Sequence, residues 1–274
     1  MTDLVGRAFE LASVAACLSA GRHVLLEGPV GVGKTAVARA VCEALARGFV
    51  RIDGDGRYTE AKLVGQFDPP MVLAHGYLPE HFVPGPLVRA MRDGAVLFVN
   101  ELNRMPEGVQ NVLLPAMDER LLILPMLGEV RAAAGFSVIA TQNPAEFVAT
   151  GALSEALLDR FELVRLDHAG ADEEQEIVRR NTHAPVDPSV IRAAVALVRA
   201  TRSDPRIRRG ASVRAAIAIA DLAHAFADLD PEAAILRAAA LALPTRIELA
   251  DPTATPMATV LSSMSEAQAS PKKP

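Results

Sequence analysis

Short apolar runs recur along the first 168 residues of the chain, separated by longer segments that have the periodicity of amphipathic helices. Each run is nearly continuous in apolar side chains, which is typical of strands buried on both faces of a parallel sheet. The pattern therefore predicts an α/β domain in which helices cover both faces of a parallel five-stranded sheet. The predicted strands are His23–Leu26, Phe49–Ile52, Ala95–Val99, Ser137–Thr141 and Phe161–Leu166.

Four other segments of this region have patterns of their own. Residues 3–20 carry apolar side chains at helical spacing and predict an amphipathic helix. The stretch Pro69–Pro86 is rich in proline and predicts a loop or hairpin rather than a helix. The pattern of Pro106–Arg120 is helical, but Pro115 in its interior predicts a kink. Leu121–Phe136 predicts a second hairpin, because a proline and a glycine lie near its centre.

The composition changes after Asp167. Residues 169–250 are rich in alanine, have helical periodicity and contain no convincing strand. They predict a smaller all-α domain that follows the α/β domain of residues 1–168. Residues 251–274 are rich in Ser, Thr, Ala and Pro, and they predict a disordered tail. The predicted helices of the second domain are Asp172–Asn181, Pro188–Thr201, Ser212–Ala227 and Pro231–Leu243.

Composition and charge narrow the class of protein. Half of the residues are hydrophobic, but only 4% are aromatic and none is Trp, so the core must consist of Ala, Leu, Val and Ile. The net charge of −5 argues against nucleic-acid binding. No apolar run approaches the roughly 18 residues of a membrane span, and a signal-peptide pattern is absent, so we expect a cytoplasmic protein. Cys17 and Cys42 lack metal-type spacing and predict buried, reduced thiols.

A glycine-rich octapeptide follows the first predicted strand and precedes a helical pattern over Ala36–Leu45. Strand and helix are the context in which Gly-x-x-x-x-Gly-Lys-Thr forms a phosphate-binding loop, and they argue against a chance match. Lys34 would reach the β- and γ-phosphates of ATP, and the Thr35 hydroxyl would hold Mg²⁺. The predicted nucleotide-binding residues are Gly28, Pro29, Val30, Gly31, Val32, Gly33, Lys34, Thr35 and Ala36.

The third predicted strand ends in Asn100-Glu101. In phosphate-loop ATPases such a strand normally ends in Asp-Glu, where the Asp orients the Mg²⁺ shell and the Glu polarises the attacking water. The Asn100 carbonyl can accept a hydrogen bond from a metal-bound water, but it carries no charge. We therefore predict Glu101 as the general base, Thr35 and Asn100 as the residues toward the metal, weakened Mg²⁺ affinity and slowed hydrolysis. The alternative is that Asn100 merely ends a core strand.

Three polar residues further along the chain are candidates for the same nucleotide. Asn143 follows the fourth predicted strand and can bind the γ-phosphate or the attacking water; a turn-forming Asn is the alternative. Arg160 lies at a helix end and can stabilise transition-state charge; a helix-capping or salt-bridged Arg is the alternative. Arg214 lies in the first turn of a helix behind the N-cap Ser212, where the helix dipole disfavours a cation, so it suggests an anionic partner such as phosphate.

These segments, in this order, resemble the MoxR family of AAA+ ATPases, in the helix-2-insert clade that includes magnesium-chelatase motor subunits. The resemblance extends from about Gly6 to Leu249. The segments that carry it are Gly28 to Thr35, Phe82-Val83-Pro84-Gly85-Pro86-Leu87, Asn100-Glu101-Leu102-Asn103-Arg104, Ala140-Thr141-Gln142-Asn143-Pro144, Leu157-Leu158-Asp159-Arg160-Phe161 and Gly210-Ala211-Ser212-Val213-Arg214.

The resemblance implies a role for each of the candidate residues. Asn143 corresponds to sensor 1, Arg160 to the arginine finger and Arg214 to sensor 2. Pro69–Pro86 corresponds to the helix-2 insert, and Leu121–Phe136 to the hairpin that precedes sensor 1. The chain departs from the family at two positions, because it has Asn100 in place of Asp and Pro115 where Glu or Ala is usual.

The resemblance also implies an activity and partners. MoxR proteins are typically hexameric rings that use ATP and Mg²⁺ to remodel a client protein, often together with a von Willebrand A domain protein in the maturation of a metalloenzyme. Asn100 favours an alternative, a nucleotide-binding scaffold or switch that barely hydrolyses ATP. A phosphate-loop kinase of a small molecule is a weaker third hypothesis, because it leaves Arg160, Arg214 and the helical second domain without a role.

Overall fold

The computed structural model describes residues 4–143 and 153–251. Contacts between residues divide the chain into two compact units, of which one comprises Met1–Pro29 and Gly33–Asp167 and the other Val30–Val32 and His168–Pro274. The predicted tail lies outside the described residues apart from Asp251. In the part of the chain that is described, no helix combines the length and the apolar character needed to cross a membrane.

The helices and strands of the first unit alternate along the chain, with two short 3₁₀ turns at Pro79–His81 and Leu102–Arg104. In chain order they are α1 (Ala8–Ser19), β1 (His23–Glu27), α2 (Lys34–Ala44), β2 (Phe49–Asp53), α3 (Glu60–Val64), β3 (Gly65–Phe67), α4 (Pro69–His75), β4 (Phe82–Pro84), α5 (Pro86–Asp93), β5 (Val96–Asn100), α6 (Glu107–Asn111), α7 (Leu113–Asp118), β6 (Leu121–Leu124), β7 (Gly128–Arg131), β8 (Ser137–Gln142), α8 (Glu155–Leu158) and β9 (Phe161–Arg165).

Five of these strands form a parallel sheet in the order β2-β5-β8-β1-β9. Helices flank this sheet, and its central strands are buried: every residue of β8 and the first four of β5 are inaccessible to solvent or nearly so. The predicted parallel five-stranded sheet is confirmed. Because all five strands run in one direction, their carboxyl ends lie along the same edge, and this edge carries the polar residues described below.

Two helical predictions for the first unit were wrong in detail. The first helix begins at Ala8 rather than at residue 3, because Gly6 has a positive φ and Arg7 is the N-cap. The proline-rich stretch contains the helix α4, so the prediction of a loop or hairpin fails there. Its prolines occupy the first turn, where no helical N–H is needed, and the Asp68 carboxylate caps the helix by accepting from the Met71 N–H. The flanking strands β3 and β4 do pair antiparallel.

The kink and the second hairpin are confirmed. The segment of Pro106–Arg120 is broken into α6 and α7 around Val112. Pro115 cannot donate a hydrogen bond to the carbonyl four residues earlier, and its ring crowds that carbonyl, which is why the helix breaks ahead of it. Strands β6 and β7 pair antiparallel over Leu121–Leu124 and Gly128–Arg131.

The second unit is mainly helical and packs around alanine. Its described elements are α9 (Ala171–Asn181), α10 (Pro188–Ser203), β10 (Ile207–Arg209), α11 (Val213–Ala225), α12 (Pro231–Ala242) and β11 (Glu248–Leu249). Buried alanines of α10, α11 and α12 form much of the core, so the helices pack closely. The prediction that this region has no strand was wrong, because β10 and β11 pair antiparallel. Strands of two and three residues are too short to leave a periodic pattern.

Both cysteines lie in helices of the first unit and are free thiols. Cys42 is buried in α2, and burial raises the pKa of its thiol to about 11. Cys17 in α1 is half-buried, and burial raises its pKa as well. A raised pKa keeps a thiol protonated and unreactive at neutral pH. The prediction of burial is confirmed for Cys42 and was wrong for Cys17, which is only partly buried.

Candidate functional site

The glycine-rich loop connects the end of β1 to the start of α2. Gly28, Gly31 and Gly33 have φ values of 157°, 81° and 98°, which a side chain at Cβ would disfavour. Gly33 is the N-cap of α2 and has no side chain that could cap the helix. Backbone N–H groups at such a helix start are available to an anion, and the helix dipole favours negative charge there. The geometry of the loop therefore fits the phosphates of a nucleotide.

Lys34 is the first residue of α2, and its ammonium group folds back over the loop. Its Nζ donates to the carbonyl oxygens of Gly28 at 2.5 Å and Pro29 at 2.9 Å. Thr35 follows in the first turn and is half-buried, whereas Ala36 is exposed. No acidic residue lies in the first turn of α2, so no nearby carboxylate of that turn opposes an anion.

Glu101 directly follows β5 and has an unusual backbone. Its φ of 57° and ψ of 53° place it in the left-handed region, which costs a residue with a side chain about 1 kcal/mol or more. The carboxylate is 28% exposed and pairs with the Arg104 guanidinium at 2.7 Å. Strained backbone of this kind persists only where its surroundings fix it. Here the Glu101 N–H donates to the Thr141 hydroxyl at 2.8 Å.

Asn100 is held from two sides by hydrogen bonds. Its Oδ1 accepts from the Thr141 hydroxyl at 3.1 Å, and its Nδ2 donates to Asp53 Oδ1 at 2.9 Å. Asp53 ends β2 and stands opposite Asn100 in the parallel register. Hydrogen bonds from Arg51 and from Asn100 hold the pKa of the Asp53 carboxyl below its usual range. Asp53 was not predicted from the sequence, because only the register of the two strands brings it to Asn100.

The ends of β8 and β1 continue this polar edge. Asn143 follows β8 and is buried, with 4% of its surface exposed. Its predecessor Gln142 donates to Glu27 Oε2 at 2.7 Å, which links the end of β8 to the end of β1. Glu27 also pairs with Arg165 on β9. Asn143 therefore lies on the same sheet edge as Asn100 and the phosphate loop. The alternative that Asn143 forms a turn depends on Pro144, which lies outside the described residues.

Arg160 follows α8 and is engaged within its own chain. Its Nη2 and Nε contact the Asp118 carboxylate at 2.5 and 2.6 Å, and its Nη1 donates to the Ala156 carbonyl. The hydrogen bond that Arg160 donates to the Asp118 carboxylate raises the pKa of the guanidinium. The salt-bridged alternative is thus the arrangement of the isolated chain. A role for Arg160 at a neighbouring subunit stays a prediction.

Arg214 belongs to the second unit and is exposed in the first turn of α11. Ser212 occupies the N-cap position as expected, but its hydroxyl makes no capping hydrogen bond. The sensor 2 role of Arg214 stays a prediction. Among the described residues, no group of three His, Cys, Asp or Glu side chains could hold a metal ion.

The parallel sheet, the glycine-lined loop between β1 and α2 and the Asn-Glu pair at the end of β5 define a phosphate-loop ATPase of the AAA+ class. A sequence profile of the AAA domain (dynein-related subfamily) matches residues 23–161. The chain belongs to the MoxR-type AAA+ ATPases, and the resemblance seen in the sequence is confirmed. Nucleotide binding and ATPase activity follow from this membership.

Curated relatives agree with this assignment. Gas vesicle ATPase GvpN2 of Halobacterium salinarum is 33% identical over 234 residues, which cover 80% of this chain and 67% of that protein. Gas vesicle ATPase GvpN of Haloferax mediterranei is 33% identical over 229 residues, which cover 78% and 65%. The chain thus spans about two thirds of the length of these relatives.

Solved structures share the fold. A candidate ATPase from Cytophaga hutchinsonii has a TM-score of 0.54 and 23% identity, and the match covers 96% of this chain and 90% of that one. The RuvB Holliday junction branch migration motor of Thermotoga maritima has a TM-score of 0.52 and 18% identity, covering 96% and 70%. At these identities the likeness concerns the fold alone.

Proposed function

We propose that the chain binds ATP with Mg²⁺, assembles into a hexameric ring and uses hydrolysis to remodel a client protein. The observation that carries the proposal is the shared sheet edge, where Asn100 ends one strand of the parallel sheet and the phosphate loop, Glu101 and Asn143 each directly follow a strand of it. On this edge the residues that bind phosphate and those that act on water are held by the same rigid element, as positioning for phosphoryl transfer requires.

Each residue of this edge has a task in the proposed reaction. Lys34 exchanges its two carbonyl partners for the β- and γ-phosphates, and the N–H groups of the loop bind the remaining phosphate oxygens. Glu101 accepts a hydrogen bond from the attacking water and polarises it, and Asn143 orients that water or the γ-phosphate. Mg²⁺ would be held by the Thr35 hydroxyl and would neutralise phosphate charge, and the Asn100 carbonyl would accept from its hydration shell.

Exposed apolar side chains support a protein client. Leu73, Tyr77 and Val83 lie in or beside the α4 insert and are 89%, 56% and 57% exposed. Ile123 and Met126 of the β6–β7 hairpin are 74% and 71% exposed. Groups of exposed apolar side chains are typical of surfaces that contact other proteins. A von Willebrand A domain protein is the partner that we propose from the family resemblance, and maturation of a metal centre or other assembly in the client is the proposed outcome.

The experiment is ATP binding and ATP turnover of the purified chain with the Mg²⁺ concentration varied. Lys34→Ala should abolish nucleotide binding, because it removes the cation that contacts the phosphates. Glu101→Gln should bind ATP normally and lose turnover by a factor on the order of 10² or more, as expected for a general base. Glu107→Gln removes an exposed carboxylate near the site and should change neither quantity. Normal turnover of the Glu101→Gln variant would contradict the proposed site.

Asn100 supports a second candidate function, a nucleotide-gated scaffold that binds ATP but hardly hydrolyses it. The neutral amide offers the Mg²⁺ shell a weaker partner than a carboxylate does. This candidate predicts tight ATP binding without turnover, even at high Mg²⁺. Measurable turnover by the purified chain, abolished by Glu101→Gln, would favour the motor instead.

A further inference from the structure

A chain of hydrogen bonds with a single direction links three strands at the sheet edge. The Glu101 N–H donates to Thr141 Oγ1, the Thr141 hydroxyl donates to Asn100 Oδ1, and Asn100 Nδ2 donates to Asp53 Oδ1. Every donor in this relay points toward Asp53. An ionised carboxylate can only accept, so Asp53 fixes the orientation of the Asn100 amide and with it the direction of the bond between Thr141 and Asn100. The Glu101 N–H can only donate, which completes the single direction.

We propose that Asp53 is a positioning residue of the ATPase site, which holds the left-handed backbone of Glu101 through Asn100 and Thr141; this rests on the proposed function of Glu101 as the group that polarises water. Related ATPases have an Asp at the end of β5, whereas this chain has the neutral Asn100. The contact with Asp53 reconciles this difference. The negative charge at this edge is retained, but it stands one strand further along, on β2.

Three features of the structure support this role. The parallel register places Asp53 opposite Asn100 at the ends of β2 and β5. The Arg51 guanidinium contacts the Asp53 carboxylate at 2.7 Å and favours its ionised form. The backbone N–H of Gly54 donates to the backbone carbonyl of Asn100 at 2.7 Å. The two backbones therefore also hold the side chains of Asp53 and Asn100 at a fixed distance.

The arrangement makes the usual Asp unfavourable at position 100. In an Asn100→Asp variant, two carboxylates would lie about 3 Å apart, and like charges at this distance repel each other. The new carboxylate also lacks the Nδ2 group with which Asn100 donates to Asp53. In the Asp53→Asn variant, the terminal amide can donate or accept, and the direction of the relay is no longer fixed. Exchanging both residues restores one amide and one carboxylate.

The test is a double-mutant cycle with Asp53→Asn, Asn100→Asp and the variant that carries both. Each single change should lower kcat about tenfold or more, with ATP affinity within about twofold, because about 1.4 kcal/mol of lost positioning corresponds to that factor. The exchanged pair should return to within about threefold of the native chain. Asp55→Asn removes the same charge two residues away and is the matched control. Asp55 is exposed, and its carboxylate accepts from the Arg57 N–H in a local turn.

A further readout does not depend on turnover. Without nucleotide, thermal unfolding of Asn100→Asp should occur at a lower temperature than that of the exchanged pair. The charged or titratable groups around the pair are Arg51 on β2, Tyr58 in the following loop and the Glu101–Arg104 ion pair, and all of them are retained in both proteins.

The outcomes separate the two proposals. If the native chain turns over ATP and Asn100→Asp alone raises kcat, Asn100 is a simple brake and the positioning role of Asp53 is wrong. Additive effects of the two single changes would also refute it. If the native chain binds ATP without turnover, the motor function fails, and the positioning role fails with it even where the unfolding temperatures couple.

Discussion

At the scale of single residues, a close approach of two backbones determines what the ends of β2 and β5 tolerate. A Cβ atom added to Gly54 would lie 2.1 Å from the carbonyl oxygen of Glu101, far below any normal contact. The atom it meets belongs to the backbone and cannot rotate away as a side chain does. Gly54 is therefore required for the path of Glu101, although nothing in the local sequence distinguishes it from Gly56.

The substitution Gly54→Ala tests this requirement. Relief of the clash must displace Glu101, so we expect a loss of about 1–3 kcal/mol in the free energy of unfolding and a fall in turnover that exceeds any fall in ATP affinity. Gly56→Ala is the matched control, because the nearest atom to its new Cβ lies 4.0 Å away. Denaturant unfolding and steady-state turnover measure the two effects. Equal behaviour of the two variants would show that the backbones can separate without cost.

At the scale of the elements, the sequence predicted the sheet better than its insertions. The five strands end within one residue of their predicted bounds, because continuous apolar runs directly report burial on both faces. Helix α4 was missed, since prolines were interpreted as breakers when they occupy a first turn. Candidate residues at strand ends were found from motifs, whereas the Asp53–Asn100 contact depends on strand register, which the sequence does not specify.

A buried ion pair of the second unit illustrates another feature that the sequence did not predict. Glu174 on α9 is 2% exposed and accepts from Arg202 of α10 at 2.7 Å and from Arg199 at 3.2 Å. Arg202 also donates to the carbonyl of Ala211, ahead of the helix that carries Arg214. One buried carboxylate and its cation therefore connect two helices and the loop that leads into α11.

Breaking this pair should be costly, and the two arginines allow a matched comparison. Arg202 is 13% exposed, so Arg202→Met leaves a buried carboxylate with less compensation and should destabilise the second unit by about 3 kcal/mol or more. Arg199 is 40% exposed and its contact is longer, so Arg199→Met should cost less than about 1 kcal/mol. Urea unfolding followed by far-UV circular dichroism measures both. A cost that is the same for the two variants would contradict the role of burial.

At the scale of the whole molecule, the predicted ring requires a residue of one copy to act in another. Arg160 is partly exposed at 28%, and Asp118 holds its guanidinium in the single chain. A solvent-exposed salt bridge contributes little to stability, so an anionic phosphate on a neighbouring copy can replace it at little cost. The pairing with Asp118 is thus compatible with an arginine finger whose guanidinium binds Asp118 in the free subunit and leaves Asp118 in the ring.

Mixing two inactive variants distinguishes a finger that acts between subunits from one that acts within its own. Arg160→Ala retains the phosphate loop and should bind ATP but lose turnover, while Lys34→Ala retains Arg160 and should not bind. In a mixed ring, some interfaces combine an intact loop with an intact Arg160 of the next copy. At equal amounts, we expect about a quarter of the native turnover, since both intact partners meet at roughly that fraction of interfaces. The chain that carries both changes, mixed with Arg160→Ala, is the control and should stay inactive. Absence of recovery, although the two variants co-assemble in size-exclusion chromatography, would show that Arg160 does not serve a neighbouring site.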